Sequence, residues 1–243
     1  MDSGTDANEG PGEDAAGRNT PGTSRRDAAG AGGRDAAGAG GAGVPAGLDG
    51  HPDRLRWNAK YESAPEPSFA PHPLAVRALE ATPGGALPDG PVLDLACGTS
   101  GSALLAARAG RRVTAVDVSE VALGRLGAEA RRRGLDGLIT LVHEDLGAWR
   151  PGSDRYALVL CTGFWDRAVF GRAVATVAPG GLLAWEALTA RARHGHDTLP
   201  ADWCVVEGEP ASLLDGAFTV LEQDDLPGGR KRRLLARAPA AVS

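Results

Sequence analysis

The sequence predicts a doubly wound α/β domain, and three observations carry that prediction. Val92–Asp117 reads as strand, small-residue turn, helix and strand. Tyr156–Ala187 gives another strand and helix, then turns into a further strand through Pro179-Gly180-Gly181. Two β-rich stretches, Phe218–Gln223 and Arg230–Arg237, close the chain and are joined through Pro227-Gly228-Gly229, the layout of a hairpin. Strands alternating with helices imply crossovers and a parallel sheet. Val92, Leu93 and Leu95 lack polar alternation, as expected of a strand covered on both faces.

Residues 1–52 are Gly, Ala, Asp, Arg, Pro and Ser with almost nothing to bury, and RDAAGAGG occurs twice, at Arg26–Gly33 and Arg34–Gly41. Such a segment cannot offset its ordering entropy, so a disordered Gly/Ala-rich tail is expected there, with one domain over 53–243. The 42% apolar content is compatible with a core for that domain. A net charge of −5 argues against a nucleic-acid surface, which relies on a basic face. Cys97, Cys161 and Cys204 lack C-x-x-C or Cys/His spacing, so neither a disulfide framework nor a metal site is expected. No apolar run reaches the length of a membrane span and the first residues lack a signal-peptide layout, so the expected location is cytoplasmic with no membrane partner.

In chain order, Leu55, Trp57, Asn58 and Tyr61 suit a short helix that places Trp57 and Tyr61 on one face. Prolines 65, 67, 71 and 73 make Ala64–Pro73 an extended connector in which His72 reads as incidental, and Leu74–Leu79 resumes as a helix. After the strand at Val92, the small residues Ala96, Gly98, Ser100 and Gly101 let a ligand approach helix amides that have no partner. Leu104, Leu105 and Ala107 keep helical spacing, Gly110 ends the helix, and Arg112–Val116 is the second strand. Asp117 ends that strand, where a carboxylate can accept both hydroxyls of a ribose. Read as A-x-G-x-x-G, Ala96–Gly101 is one change from the dinucleotide fingerprint, so the loop alone leaves an NAD-binding domain open.

Ser119 is an expected N-cap, followed by Glu120 and a helical face of Val121, Leu123, Leu126 and Ala130, with three arginines at the favourable end of the dipole. Leu138–His143 is a third strand that runs into Glu144-Asp145-Leu146. Tyr156–Cys161 is a fourth, after which Thr162–Asp166 leads into a helix carrying Val169, Phe170, Ala173, Val174 and Val177, and Leu182–Ala187 is the fifth strand. Thr162–Trp165 falls at the carboxyl edge of the sheet, where open α/β folds bind ligands, so its aromatics either wall a site or pack the core. Ala211–Leu214 suits a short helix, and Lys231–Arg233 reads as a charged guard on an exposed strand edge.

Asp94 followed by Ala96-Cys97-Gly98-Thr99-Ser100-Gly101 resembles motif I of the class I S-adenosylmethionine-dependent methyltransferases, D-x-G-x-G-x-G. Ala96 stands for the first glycine, Ser100 for the third, and Gly101 follows one place later. Trp57-Asn58-Ala59-Lys60-Tyr61 resembles the W-x-x-x-Y segment of the TehB-like branch, which lies near the cofactor pocket; plain packing on the sheet edge is the other reading. The strand–helix–PGG–strand block and the terminal hairpin are also similar to the family, which commonly has Asp where this chain has Ala157. The resemblance implies a Rossmann-like seven-stranded sheet of order 3-2-1-4-5-7-6 with the last strand antiparallel. It implies S-adenosyl-L-methionine as cofactor, held by Asp94, Ala96, Cys97, Gly98, Gly101, Asp117, Val118, Asp145, Leu146, Thr162, Trp57 and Tyr61. Asp145, with Glu144 competing, would accept from the adenine amino group while the Leu146 amide reaches the ring.

The activity so implied is in-line methyl transfer to a small-molecule acceptor, which depends chiefly on alignment. Where an acceptor must lose a proton, His194 and His196 are the candidate bases, and Arg191 and Arg193 beside them could hold an anion; a solvated loop is the alternative. Two other readings stay open. An NAD-linked oxidoreductase would want a parallel second half in place of the hairpin, and a non-catalytic nucleotide-binding regulator would keep Asp117 without an acceptor site.

Overall fold

The computed structural model of the protein describes residues 44–80, 85–194 and 198–241. The tail expected at 1–52 therefore lies largely outside the described residues, as does His196. Its last part is described, and structure begins before the boundary read at 53. Residues 46–50 form a turn, Leu48 is buried, and Pro52 already opens the first helix.

That helix, α1 (Pro52–Ser63), is followed by α2 (Pro73–Leu79), β1 (Val92–Leu95), α3 (Gly101–Arg108), β2 (Val113–Asp117), α4 (Glu120–Arg132) and β3 (Ile139–His143). The second half runs β4 (Tyr156–Thr162), α5 (Arg167–Val174), β5 (Val177–Thr189), β6 (Cys204–Val205), β7 (Thr219–Asp225) and β8 (Lys231–Arg237). The sheet order is β3-β2-β1-β4-β5-β8-β7, with β6 paired to β5 off that path. Strands β1 to β6 pair in parallel, whereas β8 is antiparallel to both β5 and β7. This is the expected order with one addition. The two-residue β6 lies beside Leu188 and Thr189, so the strands read as sixth and seventh become β7 and β8.

Apolar residues of opposite parity build a core on each face of the sheet. Val92, Ala115, Leu158, Leu160, Leu182 and Leu235 face α2, α3 and α4, which contribute Leu74, Leu104 and Leu126. Leu93, Leu95, Val159, Leu183, Trp185 and Leu234 face α5 with its Val169, Phe170 and Ala173. Here Phe170 and Trp185 meet edge to face with centroids 5.1 Å apart, and Trp165 joins them. Such pairs add about 0.5–1.5 kcal/mol beyond burial. Trp165 is 4% exposed, so of the two readings of the Thr162–Trp165 aromatics it takes the packing one.

Three local expectations are corrected. Val177 does not extend the helix after β4. α5 ends at Val174, and Val177 opens β5 opposite Tyr156, with a register shift between Tyr156 and Leu158. Pro179-Gly180-Gly181 is thus an irregularity within a long strand, Gly180 lying at φ +71°. Lys231–Arg233 is not an edge guard, because β8 lies between β5 and β7 and the edge belongs to β7. Ala211–Leu213 is a single 3-10 turn. Ala157, the departure from the family's acid, is fully buried. A Cβ on Gly90 would lie 3.3 Å from the Ala157 Cβ and one on Gly181 would lie 2.9 Å from its carbonyl oxygen, so the backbone crowds this position.

Candidate functional site at the carboxyl edge of the sheet

The loop after β1 is shaped by its own hydrogen bonds. Ala96 sits at φ +49°, a left-handed conformation that glycine adopts more easily, and Gly98 at φ +56°. Cys97 N–H donates to the Val116 carbonyl at 3.1 Å, tying the loop to β2. Ser100, where the family writes glycine, is the N-cap of α3. Its Oγ accepts from Ala103 N–H at 2.9 Å and donates to Asp94 Oδ2 at 2.6 Å. Burial, and secondarily the charge of Asp117, push Asp94 up to about 7, while the Ser100 hydroxyl pulls it back. Asp94 therefore stands behind the loop and braces it. Burial likewise pushes the Cys97 thiol up, so it stays protonated.

Gly101 has its own reason to be glycine. A Cβ there would overlap the carbonyl oxygens of Phe69 and Ala70, because the proline-rich connector lies directly against the start of α3. His72 N–H donates to Ser102 Oγ at 3.0 Å and completes this docking. The shifted glycine of the motif is the imprint of the connector.

Asp117 is 7% exposed at the end of β2, next to the loop. Its Oδ2 accepts from Gly98 N–H and its Oδ1 from Ser119 N–H, each at 2.8 Å. Burial raises its pKa and these backbone donors oppose the rise. A carboxylate has about four acceptor positions, so the backbone donors Ser119, Gly98 and Val118 leave acceptor capacity for a ligand hydroxyl. Val118 follows, its carbonyl 3.0 Å from His143 Nε2. The loop after β3 carries Asp145, whose Oδ2 accepts from Ala148 N–H at 3.2 Å, and Leu146, whose side chain is buried in the core.

Helix α1 crosses this edge. Arg54 forms a two-pronged pair with Glu120, and Ser119 Oγ donates to the buried Asn58 Oδ1 at 2.7 Å. One turn on, Tyr61 stands over the glycine loop, so that a Cβ on Gly98 would overlap its hydroxyl oxygen. Burial, then Asp117, raise the Tyr61 pKa and keep the phenol protonated. Trp57 and Tyr61 lie on one face with ring centroids 6.1 Å apart, and the Arg56 guanidinium lies between the Trp57 and Trp203 rings at 5.3 and 4.7 Å. Of the two residues predicted here, Tyr61 reaches the loop directly and Trp57 packs behind it.

On the β4–β5 side, Thr162 pairs with Glu186. Glu186 is 1% exposed and meets Lys231 Nζ at 3.0 Å, Arg233 Nε at 2.6 Å and His72 Nε2 at 3.2 Å. Burial alone would push Glu186 up, yet these partners hold it down at about 2. His72 Nδ1 accepts from Leu74 N–H at 3.2 Å, capping α2. Sequence reasoning missed both residues; the available signal was a lone carboxylate in the apolar run Leu182–Leu188. His194 is exposed on the turn after β5 and is not drawn into this cluster.

A methyltransferase-domain family model matches residues 92–181. No curated sequence matches the chain. Among solved structures it is similar to TehB from Haemophilus influenzae, at 17% identity and TM-score 0.57 over 76% of this chain and 66% of that one. The CcbJ methyltransferase from Streptomyces caelestis is 16% identical with TM-score 0.54, over 72% of this chain and 100% of that one. The [4+2]-cyclase SpnF is 17% identical with TM-score 0.53, over 69% and 79%. Residues 92–181 thus match a methyltransferase-domain family model, and the chain has the class I S-adenosylmethionine-dependent methyltransferase fold.

Proposed function

We propose that the chain binds S-adenosylmethionine at the β1–β2–β3 edge and transfers its methyl group in line to a small-molecule acceptor. The observation that carries this reading is Asp117, a buried carboxylate with spare acceptor capacity beside the Gly98 loop. The residues fit the cofactor. Ala96 and Gly98 leave no bulk between the loop and a ligand, and the start of α3 supplies backbone amides. Asp117 would hold the ribose, Asp145 and the Leu146 amide the adenine, and Tyr61 would cover the loop. Bound, the cofactor supplies an electrophilic methyl on a sulfonium. The chain's own contribution is alignment and exclusion of water, and positioning of this kind accounts for roughly 7–11 kcal/mol of a barrier. For an acceptor that must shed a proton, His194 would take it.

The cyclase among the structural neighbours argues for testing binding before turnover, since one fold hosts different reactions. Calorimetric titration with S-adenosylmethionine, S-adenosylhomocysteine and NAD tests the reading. The first two bind and NAD does not. Asp117→Ala then weakens S-adenosylhomocysteine by about 1.5–3 kcal/mol, the range for hydrogen bonds to a charged group; unchanged affinity removes the ribose assignment.

A further inference from the structure

Strand register brings one row of residues to the carboxyl edge of the sheet. Leu95 lies beside Cys161, so the glycine loop leaves β1 in the row of Thr162; Thr162 pairs with Glu186, and Glu186 with Arg233. Neighbouring strands lie about 4.8 Å apart, which sets Arg233 roughly 10 Å from Thr162. Lys231 stands two residues earlier on β8 and shares the face of Arg233. Both cations converge on Glu186: Lys231 Nζ meets Oε1 at 3.0 Å and Arg233 Nε meets Oε2 at 2.6 Å. His72 adds a donor and no charge. Its Nδ1 accepts from Leu74 N–H, so the ring is the neutral tautomer with its proton on Nε2, 3.2 Å from Glu186 Oε2. Two cations thus share one carboxylate, and the cluster carries a surplus positive charge. The neighbouring acids do not cancel it. Asp224, opposite Arg233 on β7, is exposed and forms no ion pair among the described residues, and Glu222 is taken by Arg77.

Nor are the donors used up. Glu186 engages Arg233 through Nε alone, and the Nη hydrogens have no partner among the described residues. The Arg233 and Lys231 side chains are 23% and 46% exposed, whereas that of Glu186 is 2% exposed. A guanidinium held by its Nε side presents Nη1 and Nη2 as a planar fork, the shape that receives a carboxylate or phosphate through two hydrogen bonds. A buried ion pair stabilises a core no better than apolar residues of the same volume, so stability alone gives Glu186 no reason to stand in this apolar strand. What it does is hold two cations still. We propose that Arg233 and Lys231 bind an anionic group of the methyl acceptor, a carboxylate or a phosphate, with Glu186 and His72 as the residues that position them. The inference rests on the methyltransferase reading above and deepens it. The acceptor is a small organic acid whose anionic group sits where β5 meets β8, and whose methylated atom lies roughly 10 Å away, toward Thr162 and the glycine loop.

The test is a titration of the full chain, saturated with S-adenosylhomocysteine, with acetate and with inorganic phosphate, followed by NMR of the arginine side chains. Acetamide is the uncharged control and chloride the control for ionic strength. The Nε signal of Arg233, identified by its loss in Arg233→Lys, shifts saturably with acetate or phosphate and with neither control, and the tighter of the two anions names the group. Lys231→Met weakens that anion about tenfold, the lower end for hydrogen bonds to a charged group. Both variants keep the affinity of the wild type for S-adenosylhomocysteine in calorimetry. Absence of a saturable shift overturns the inference, as does an unchanged anion affinity in Lys231→Met. A parallel loss of S-adenosylhomocysteine binding overturns it too, because the fork would then serve the cofactor's own carboxylate. If the wild type does not bind S-adenosylhomocysteine, the cofactor reading fails and the acceptor assignment falls with it; if it binds and the anions do not, only the anion site fails.

Discussion

Replacing Glu186 by Gln tests an ion-paired carboxylate that is 1% exposed. The carboxylate is held at about 2 against an ordinary 4.5. That difference corresponds to roughly 3 kcal/mol at neutral pH, one pKa step being about 1.4 kcal/mol. The sign follows from the direction: a folded-state pKa below the unfolded one stabilises above about 4.5, and the benefit is lost as the pH falls toward about 2. Glu186→Gln should therefore cost about 3 kcal/mol at pH 7 and about 2 kcal/mol at pH 3.5. Asp94 runs the other way, because its raised pKa makes the native state lose stability as the pH climbs from about 4 to about 7. Only the difference between variant and wild type isolates Glu186. Urea unfolding followed by tryptophan fluorescence over pH 3.5–7.5 gives that difference. A cost below about 1 kcal/mol at pH 7, or one that does not shrink on acidification, refutes the claim that His72, Lys231 and Arg233 stabilise the charged form.

Gly101→Ala must push the connector off α3 or shift the helix, since its Cβ would overlap two carbonyl oxygens. A loss of about 1–3 kcal/mol in urea unfolding is expected, the usual cost of overpacking, with faster proteolysis between Ala64 and Pro73. Gly98→Ala should be destabilising in the wild type and milder in Tyr61→Phe, which removes the overlapping oxygen. A double-mutant cycle measures that coupling, and strict additivity would show that Tyr61 does not rest on the loop. Ser100→Ala should cost about 1 kcal/mol for the lost cap and more at pH 8 than at pH 5. Its hydroxyl favours the ionised Asp94, so an equal cost at both pH values would contradict the Ser100–Asp94 bond.

The parallel strands were legible because each is an apolar run bounded by turn residues, and Asp117 was legible because an acid closes the second of them. Features that depend on pairing were not. Val174 and Val177 stand three residues apart, which reads as a helical face, whereas the pairing of Val177 with Tyr156 makes it a strand. Lys231 and Arg233 look like edge charges until β7 is placed outside β8 and Glu186 beneath them. Ser100 reads as a defect in a glycine motif; its cap and its bond to Asp94 become visible only once α3 begins at Gly101. His72 and His51 each precede a proline that starts a helix, and nothing in the local sequence says that one caps its helix while the other turns to a strand end. Burial and partnership across 90 to 120 residues decide such cases, and periodicity carries no information about them.

The helix that covers the loop is made early and finds its partners late. Arg54 pairs with a residue 66 positions downstream and Asn58 with one 61 positions downstream. Alone, a helix of 12 residues with a single buried side chain is marginal in water. It cannot hold its shape until β2 and α4 exist, and such distant contacts close slowly. The cover over Gly98 then forms only once those partners are in place, and a chain interrupted before Ser119 would emerge with Trp57 and Tyr61 on offer to chaperones and proteases.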